Sequence, residues 1–113
     1  MHELSLAMEL VSQVERIVAG EGATRAVTVA VSIGALSGVE REAFEFAFPL
    51  AAAQTCLDGA RLEIESVPVR AKCRDCGVDN AIDMPNLLCG SCGSCNLEIT
   101  AGREFVIHSV EVV

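Results

Sequence analysis

Two Cys-x-x-Cys pairs constrain this chain more than any other feature of its sequence. Cys73 and Cys76 form the first pair, within CRDCG, and Cys89 and Cys92 form the second, within CGSCG. Two intervening residues let both thiolates of a pair reach one metal ion from a tight turn, and the glycine after each pair permits the left-handed backbone that such a turn often needs. Two knuckles of this kind supply a closed tetrahedral shell of four sulfurs. That shell favours a structural zinc ion and leaves no open position for catalysis.

Other interpretations of these cysteines remain open. A rubredoxin-like iron site uses the same four thiolates, and redox dithiols use the same motif, although they usually carry a single pair at the start of a helix. Cys95 lies three residues beyond Cys92 and is an alternative zinc ligand. We favour Cys89 with Cys92 because the glycine after this pair mirrors the glycine after the first.

Outside the cysteine-rich segment, helical and extended patterns alternate. Apolar residues recur at helical spacing from Leu4 to Val18, which predicts a first helix. Alternation of apolar and polar residues predicts strands over 27–33 and 61–67, and a β-branched run predicts a last strand over 104–113. Residues 70–98 show little periodicity, so we expect them to leave the sheet that the other strands form.

A second helix is predicted between the first two strands. Ser37 and Glu40 have capping-box spacing, and the helix should continue to about Cys56 with a kink or break at Pro49. The order of elements predicts an α+β fold, in which a small three-stranded sheet has two helices on one face and carries an inserted zinc-ribbon module. The predicted domains are an α/β unit, residues 1–69 plus 99–113, and the zinc-binding insert, residues 70–98.

Charge and hydropathy exclude several classes of function. The chain has 16 acidic and 8 basic side chains and a formal net charge of −8, which argues against nucleic-acid partners because phosphate neutralisation needs a basic surface. No apolar run approaches the roughly 18–20 residues of a membrane span, and the start lacks the features of a secretory signal. We therefore expect a cytoplasmic protein without membrane partners, whose thiols stay reduced. With two histidines and no glycine-rich phosphate loop, it has no catalytic constellation and should not be an enzyme.

The opening Met1-His2-Glu3 is a candidate chelator. The His2 imidazole, its own backbone nitrogen and either the Met1 amine or the Glu3 backbone nitrogen close five- and six-membered rings around one metal ion. Square-planar nitrogen ligation favours Ni(II) and Cu(II). An early histidine is weak evidence alone, but a helix that begins at Leu4 would hold this terminus on a rigid element.

The opening MHELSLAMEL, the CRDCG and CGSCGS knuckles and the closing EFVIHSVEV together resemble the HypA/HybF family of hydrogenase nickel-incorporation proteins, over essentially the whole chain. The resemblance implies a nickel metallochaperone for the maturation of nickel–iron hydrogenase and, in some bacteria, of urease. It implies transient nickel at His2 and at the backbone nitrogen of Glu3, within the α/β unit. It also implies structural zinc at the four cysteines of the two pairs.

The resemblance further implies partners: a hydrogenase-maturation GTPase, the hydrogenase large subunit and, where urease is served, urease maturation proteins. Glu40 falls where some members carry an acidic residue near nickel, and a helix-capping role is the alternative. Cys95 and Pro49 depart from the usual pattern of the family. The competing hypothesis is a zinc-ribbon adaptor for protein interactions, in which His2 binds no nickel.

Overall fold

The computed structural model describes residues 2–83 and 86–113 of the chain, so Met1, a candidate nickel ligand through its amine, lies outside the described residues. Helices and strands alternate in the first half, and short strands follow. In chain order they are α1 His2–Gly20, β1 Ala26–Gly34, α2 Arg41–Ala52, β2 Arg61–Val67, β3 Arg70–Cys73, β4 Asp79–Ala81, β5 Leu97–Ala101 and β6 Phe105–Val112.

The main sheet has β1 at its centre, parallel to β2 on one side and antiparallel to β6 on the other. Val29, Val31 and Ile33 of β1 are buried in one core with the apolar faces of α1 and α2. The opposite face of the sheet is polar, as the hydrogen bond of 3.1 Å from the Thr28 hydroxyl to the Glu111 carboxylate illustrates. Since both helices cover the same face, the predicted α+β fold and the return of the last strand to this sheet are confirmed.

The periodicity of α1 follows from its packing. The buried side chains recur at intervals of three or four residues and lie along the stripe that faces α2 and the sheet. These buried residues are Ala7, Leu10, Val11, Val14 and Val18. The helix ends at Gly20, and Gly22 follows with a φ of +66°, which glycine adopts without steric cost. No helix in the described ranges is both long and apolar enough to cross a membrane.

Glu40, and not Ser37, caps α2, so the predicted capping box is wrong. The Glu40 carboxylate accepts the backbone N–H groups of Glu42 at 3.3 Å and Ala43 at 2.6 Å. The Ser37 hydroxyl instead accepts the N–H of Val39 at 3.2 Å, inside the loop before the helix. A carboxylate suits the positive end of the helix dipole and satisfies N–H groups that have no partner within the helix.

The end of α2 also differs from the prediction, because the helix stops at Ala52 rather than near Cys56. Gln54 has a φ of 64°, a left-handed conformation that cannot continue a right-handed helix. The Asp58 carboxylate accepts the Gln54 N–H at 3.0 Å, which stabilises the turn that replaces the last predicted helical turn. Pro49 lies inside α2, shortly before this end.

The cysteine-rich segment forms a second sheet that the sequence did not predict. Its strand order is β4-β3-β5, with antiparallel pairing throughout. The strands are too short for a clear alternation, and β4 is only 3 residues long. This sheet has its own small core of Val69, Ala71 and Ile82. Strand β5 continues to Ala101, past the predicted domain boundary after residue 98.

Candidate metal centre

The four paired cysteines come together at one end of the second sheet. The Sγ atoms of Cys73, Cys76, Cys89 and Cys92 all lie within 4.8 Å of one another. The Cys73–Cys92 and Cys76–Cys89 sulfur distances are both 3.6 Å, far longer than the roughly 2.05 Å of a disulfide bond. A tetrahedral zinc ion with Zn–S bonds of about 2.3 Å places its sulfurs roughly 3.8 Å apart. Four thiolates at this spacing therefore fit zinc.

Both knuckles use the same turn. The Gly77 N–H donates to the Cys73 carbonyl at 2.9 Å, and the Gly93 N–H donates to the Cys89 carbonyl at 2.9 Å. Gly77 and Gly93 have φ angles of 78° and 76°, so the left-handed backbone expected after each pair is confirmed. The repeated turn points both sulfurs of each pair to the same side.

Among the described residues, three N–H groups donate to the Cys89 sulfur, and one donates to the Cys73 sulfur. The sulfur of Cys89 accepts the backbone N–H groups of Cys92 at 3.5 Å and Ser91 at 3.4 Å, and the side-chain amide of Asn80 at 3.5 Å. These donors lower the pKa of Cys89 to about 6, and the N–H of Cys92 has the largest effect, followed by Ser91 and Asn80. Without a metal, the sulfur of Cys89 is therefore a thiolate at neutral pH.

The pair formed by Cys73 and Cys92 divides its protons unequally. The N–H of Cys76 is the main cause of a lowered pKa at Cys73. At Cys92 the N–H of Ser94 acts in the same direction, but the hydrogen bond to the Cys73 sulfur and burial together raise the pKa to about 12. The raised pKa assigns the proton between these two sulfurs to Cys92, and a metal ion bound by all four thiolates would have to displace that proton.

Polar side chains connect the two knuckles beyond the sulfurs. The Asp75 carboxylate accepts the Ser94 hydroxyl and, at 3.2 Å, the Asn96 amide. These two donors, Ser94 first, hold the pKa of Asp75 below its ordinary value. The amide of Asn80 makes a further connection, from β4 to the second knuckle. Sequence reasoning missed Asp75 and Asn80, because a linking polar residue and a solvated one carry no distinguishing signal in a single sequence.

The two remaining cysteines lie outside the cluster of four sulfurs. Cys95 is an exposed free thiol, and Cys56 is half-buried against the core of the main sheet. The role of Cys95 as an alternative ligand stays a prediction.

The predicted nickel residues meet where α1 and α2 begin. The His2 side chain is 61% exposed, and its Nδ1 lies 3.5 Å from Oε2 of Glu3. The Glu3 carboxylate also accepts the backbone N–H of Glu40 at 3.1 Å. That N–H is the first cause of a Glu3 pKa below its ordinary value of 4.5. Glu40 thus lies beside Glu3, with its own carboxylate engaged in the cap of α2.

Comparisons with known proteins agree with this arrangement. The family model described as "Hydrogenase/urease nickel incorporation, metallochaperone, hypA" matches residues 1–112. A hydrogenase maturation factor HypA from Nitrosospira multiformis is 40% identical over 113 residues, covering 100% of this chain and 98% of the relative. The HypA of Moorella thermoacetica is 42% identical over 111 residues, covering 98% of each chain.

Solved structures give the same result. The solution structure of the nickel metallochaperone HypA from Helicobacter pylori has a TM-score of 0.71 and 26% sequence identity, covering 98% of this chain and 97% of the other. A second solution structure of a HypA protein has a TM-score of 0.73 and 28% identity, and the match covers 100% of this chain and 97% of the other. The family model spans nearly the whole chain, and the relatives match it from end to end. The chain belongs to the HypA family of hydrogenase and urease nickel-incorporation metallochaperones.

Proposed function

We propose that this chain binds Ni(II) at its N-terminus and delivers it in the cytoplasm during maturation of nickel–iron hydrogenase. The His2 imidazole and the backbone nitrogens of His2 and Glu3 would hold the nickel cargo, and Cys73, Cys76, Cys89 and Cys92 would hold structural zinc. The nickel-binding unit would comprise residues 1–69 and 99–113 and the zinc-binding unit residues 70–98, with β5 running across the second boundary. Urease, which the family description also names, is a second candidate recipient.

The single observation that supports nickel binding most directly is the position of His2. Its imidazole is exposed on the first residue of α1. The first N–H groups of a helix have no acceptor within it, so the backbone nitrogens of His2 and Glu3 can ligate a metal ion without the loss of a helical hydrogen bond.

Electrostatics at this helix end also support the proposal. A bare cation is disfavoured at a helix N-terminus, where the dipole is positive. Amide nitrogens that lose their protons on ligation bring negative charge, and the carboxylate of Glu3 lies beside the imidazole. The site therefore suits Ni(II), which repays amide deprotonation in square-planar nitrogen ligation.

The partners proposed are a hydrogenase-maturation GTPase, which would supply the nucleotide chemistry, and the hydrogenase large subunit as recipient. Urease maturation proteins would be further partners where urease is served. An apolar groove of about 270 Å³ next to Glu3 includes Phe46 and Leu50, which are 76% and 62% exposed. Such a groove also suits the alternative function, a zinc-ribbon adaptor that binds protein partners and no nickel.

His2→Ala separates the two functions. We expect the variant to lose stoichiometric nickel binding while its zinc content and circular dichroism spectrum stay unchanged, because only the imidazole ligand is removed. His108→Ala is the matched control, since His108 is the other histidine of the chain and is exposed on β6. Nickel titration followed by ultraviolet absorbance, with metal analysis of the untagged protein, measures both metals.

Undiminished nickel affinity in His2→Ala would contradict the nickel proposal and favour the adaptor. A version extended by two residues before Met1 gives an independent check. The extension moves the terminal α-amine away from His2 and leaves all side chains in place. If nickel binding survives the extension but not His2→Ala, the imidazole and the internal backbone nitrogens are sufficient for binding.

A further inference from the structure

Asn80 is a buried polar residue whose side chain contacts the four-cysteine cluster. It lies at the middle of β4 and is 8% exposed. A buried amide is costly unless its donors and acceptor find partners, so the partners of Asn80 indicate what the residue does.

All the partners of this side chain lie in or beside the knuckles. Its Nδ2 donates to the Cys89 sulfur at 3.5 Å and to the Val78 carbonyl at 3.2 Å. Its Oδ1 accepts the N–H of Gly90 at 2.9 Å. Val78 follows the first knuckle, whereas Cys89 and Gly90 belong to the second. One amide therefore bridges the two halves of the site.

The side-chain N–H of Asn80 donates to the sulfur of Cys89, which is almost fully buried. Cys89 is 3% exposed, so hydrogen bonds to its sulfur must come from the protein. Four thiolates carry more negative charge than one zinc ion neutralises, and donors beyond the ligands orient the sulfurs and offset that excess. Among the described residues, Cys89 is the one cysteine of the cluster whose sulfur accepts a side-chain amide.

We propose that Asn80 is a positioning residue of the zinc site. Its amide orients the Cys89 sulfur toward the ion, offsets part of the negative charge of the thiolates and holds the second knuckle against the first. This inference rests on the zinc site of the proposed function.

Asn80→Asp tests the donor specifically. Aspartate has nearly the same shape and keeps the acceptor for Gly90, but it replaces the amide donor by an oxygen that repels the sulfur. We expect zinc affinity to fall about ten- to a hundredfold, as is typical when a partner of a metal ligand is lost. Asn86→Asp is the matched control, since it makes the same chemical change at an exposed residue of the same segment.

Competition with a chromophoric chelator measures zinc affinity in both variants and in the unaltered protein. Cobalt(II) substitution adds a spectroscopic readout, because the sulfur-to-cobalt charge-transfer band should shift in Asn80→Asp and not in Asn86→Asp. Equal zinc affinity and an unshifted band in the two variants would overturn the inference. If the unaltered protein bound no zinc, the failure would lie with the proposed zinc site itself.

A measurement on the unaltered protein covers the case in which Asn80→Asp fails to fold. With the zinc replaced by cadmium-113, a hydrogen bond to a ligating sulfur transmits nuclear coupling to the donor proton. We expect coupling between cadmium and the side-chain amide protons of Asn80. Absence of that coupling, with backbone couplings to the same ion detected, would also overturn the inference.

Discussion

At the scale of single residues, hydrogen bonds make chemically identical thiols different. The sulfurs of Cys89 and Cys92 belong to the same knuckle, but their pKa values are lowered to about 6 and raised to about 12. The N–H groups directed at Cys89 stabilise its thiolate, whereas Cys92 shares a proton with the sulfur of Cys73. The sequence indicates both as candidate ligands but cannot assign the protons, because the backbone geometry of the turn decides which N–H groups reach which sulfur.

These pKa values predict the proton release that accompanies zinc binding. Four thiolates must form, but Cys89, with a pKa of about 6, has already lost its proton at pH 7. We expect fewer than four protons per zinc at pH 7, and a release that rises toward four below pH 6 as Cys89 becomes protonated. Calorimetry in two buffers with different ionisation enthalpies measures this number. A release of four protons at pH 7 would contradict the assignment of a Cys89 thiolate.

At the scale of elements, the long helices and strands were predictable from their hydrophobic patterns, but the residues at which α2 begins and ends were not. The apolar stripe of α1 and the alternation in β1, β2 and β6 follow from local periodicity, and these predicted elements are confirmed. The predicted start of α1 at Leu4 is wrong, because the helix begins at His2, where polar residues extend it beyond the apolar stripe. The cap of α2 depends on which carboxylate the preceding loop brings to the helix end, so spacing alone selected Ser37 wrongly. The strands of the second sheet carry too few residues to show a period, and their pairing is long-range.

The Glu40 cap predicts the effect of mutation at the start of α2. Glu40→Ala leaves two N–H groups without their acceptor and should lower the free energy of unfolding by about 1 kcal/mol, a typical value for loss of a cap. Glu40→Gln keeps an acceptor oxygen, so its free energy of unfolding should fall by less than that of Glu40→Ala. Urea denaturation measures both, with Glu15→Ala, an exposed change within α1, as control.

The same variants decide between the two roles of Glu40. If the residue serves only as a cap, nickel affinity stays unchanged in Glu40→Gln. A marked loss of nickel in that variant, with stability preserved, would instead favour Glu40 as a nickel ligand.

At the scale of the whole molecule, the two sheets have separate small cores. They meet at a crossing where the end of β1 and its following loop contact the segment between β5 and β6. The molecule measures 53 × 28 × 16 Å, an elongated shape that no single core fills. Leu36, in the loop after β1, packs against the core of the second sheet. Its N–H donates to the Gly102 carbonyl at 2.6 Å, and the Gly34 N–H donates to the Glu104 carbonyl at 2.6 Å. The central strand of the main sheet, β1, therefore also holds the chain where it returns from the four-cysteine segment.

This crossing predicts that Gly34 cannot be enlarged. A Cβ at Gly34 would lie 2.1 Å from the Gly102 carbonyl oxygen, so backbone must move. Gly34→Ala should lower the free energy of unfolding by about 3 kcal/mol, at the upper end of typical overpacking costs. Gly20→Ala is the matched control, because a Cβ there meets nothing within 4 Å. Thermal unfolding of both variants measures the difference, and equal melting temperatures would show that the crossing is not a close contact.

The family assigned by the comparisons is the one that the sequence predicted. The HypA/HybF resemblance drawn from the two ends and the knuckles is confirmed by the family model and by relatives of about 40% identity. The expectation that the chain is not an enzyme is confirmed by the same family, which consists of metallochaperones.

The sequence by itself determined the long elements, the family and the set of thiols, because periodicity and motif spacing are local properties of the chain. Tertiary structure decided which sulfurs share protons, which carboxylate caps α2, where Asn80 donates and why Gly34 must be small. The Gly34 contact and the Cys73–Cys92 sulfur pairing join residues that are distant in sequence and meet only when the chain folds. The α2 cap and the contacts of Asn80 join residues closer in sequence, but which atoms meet there depends on the backbone geometry of the turns, which residue spacing does not specify.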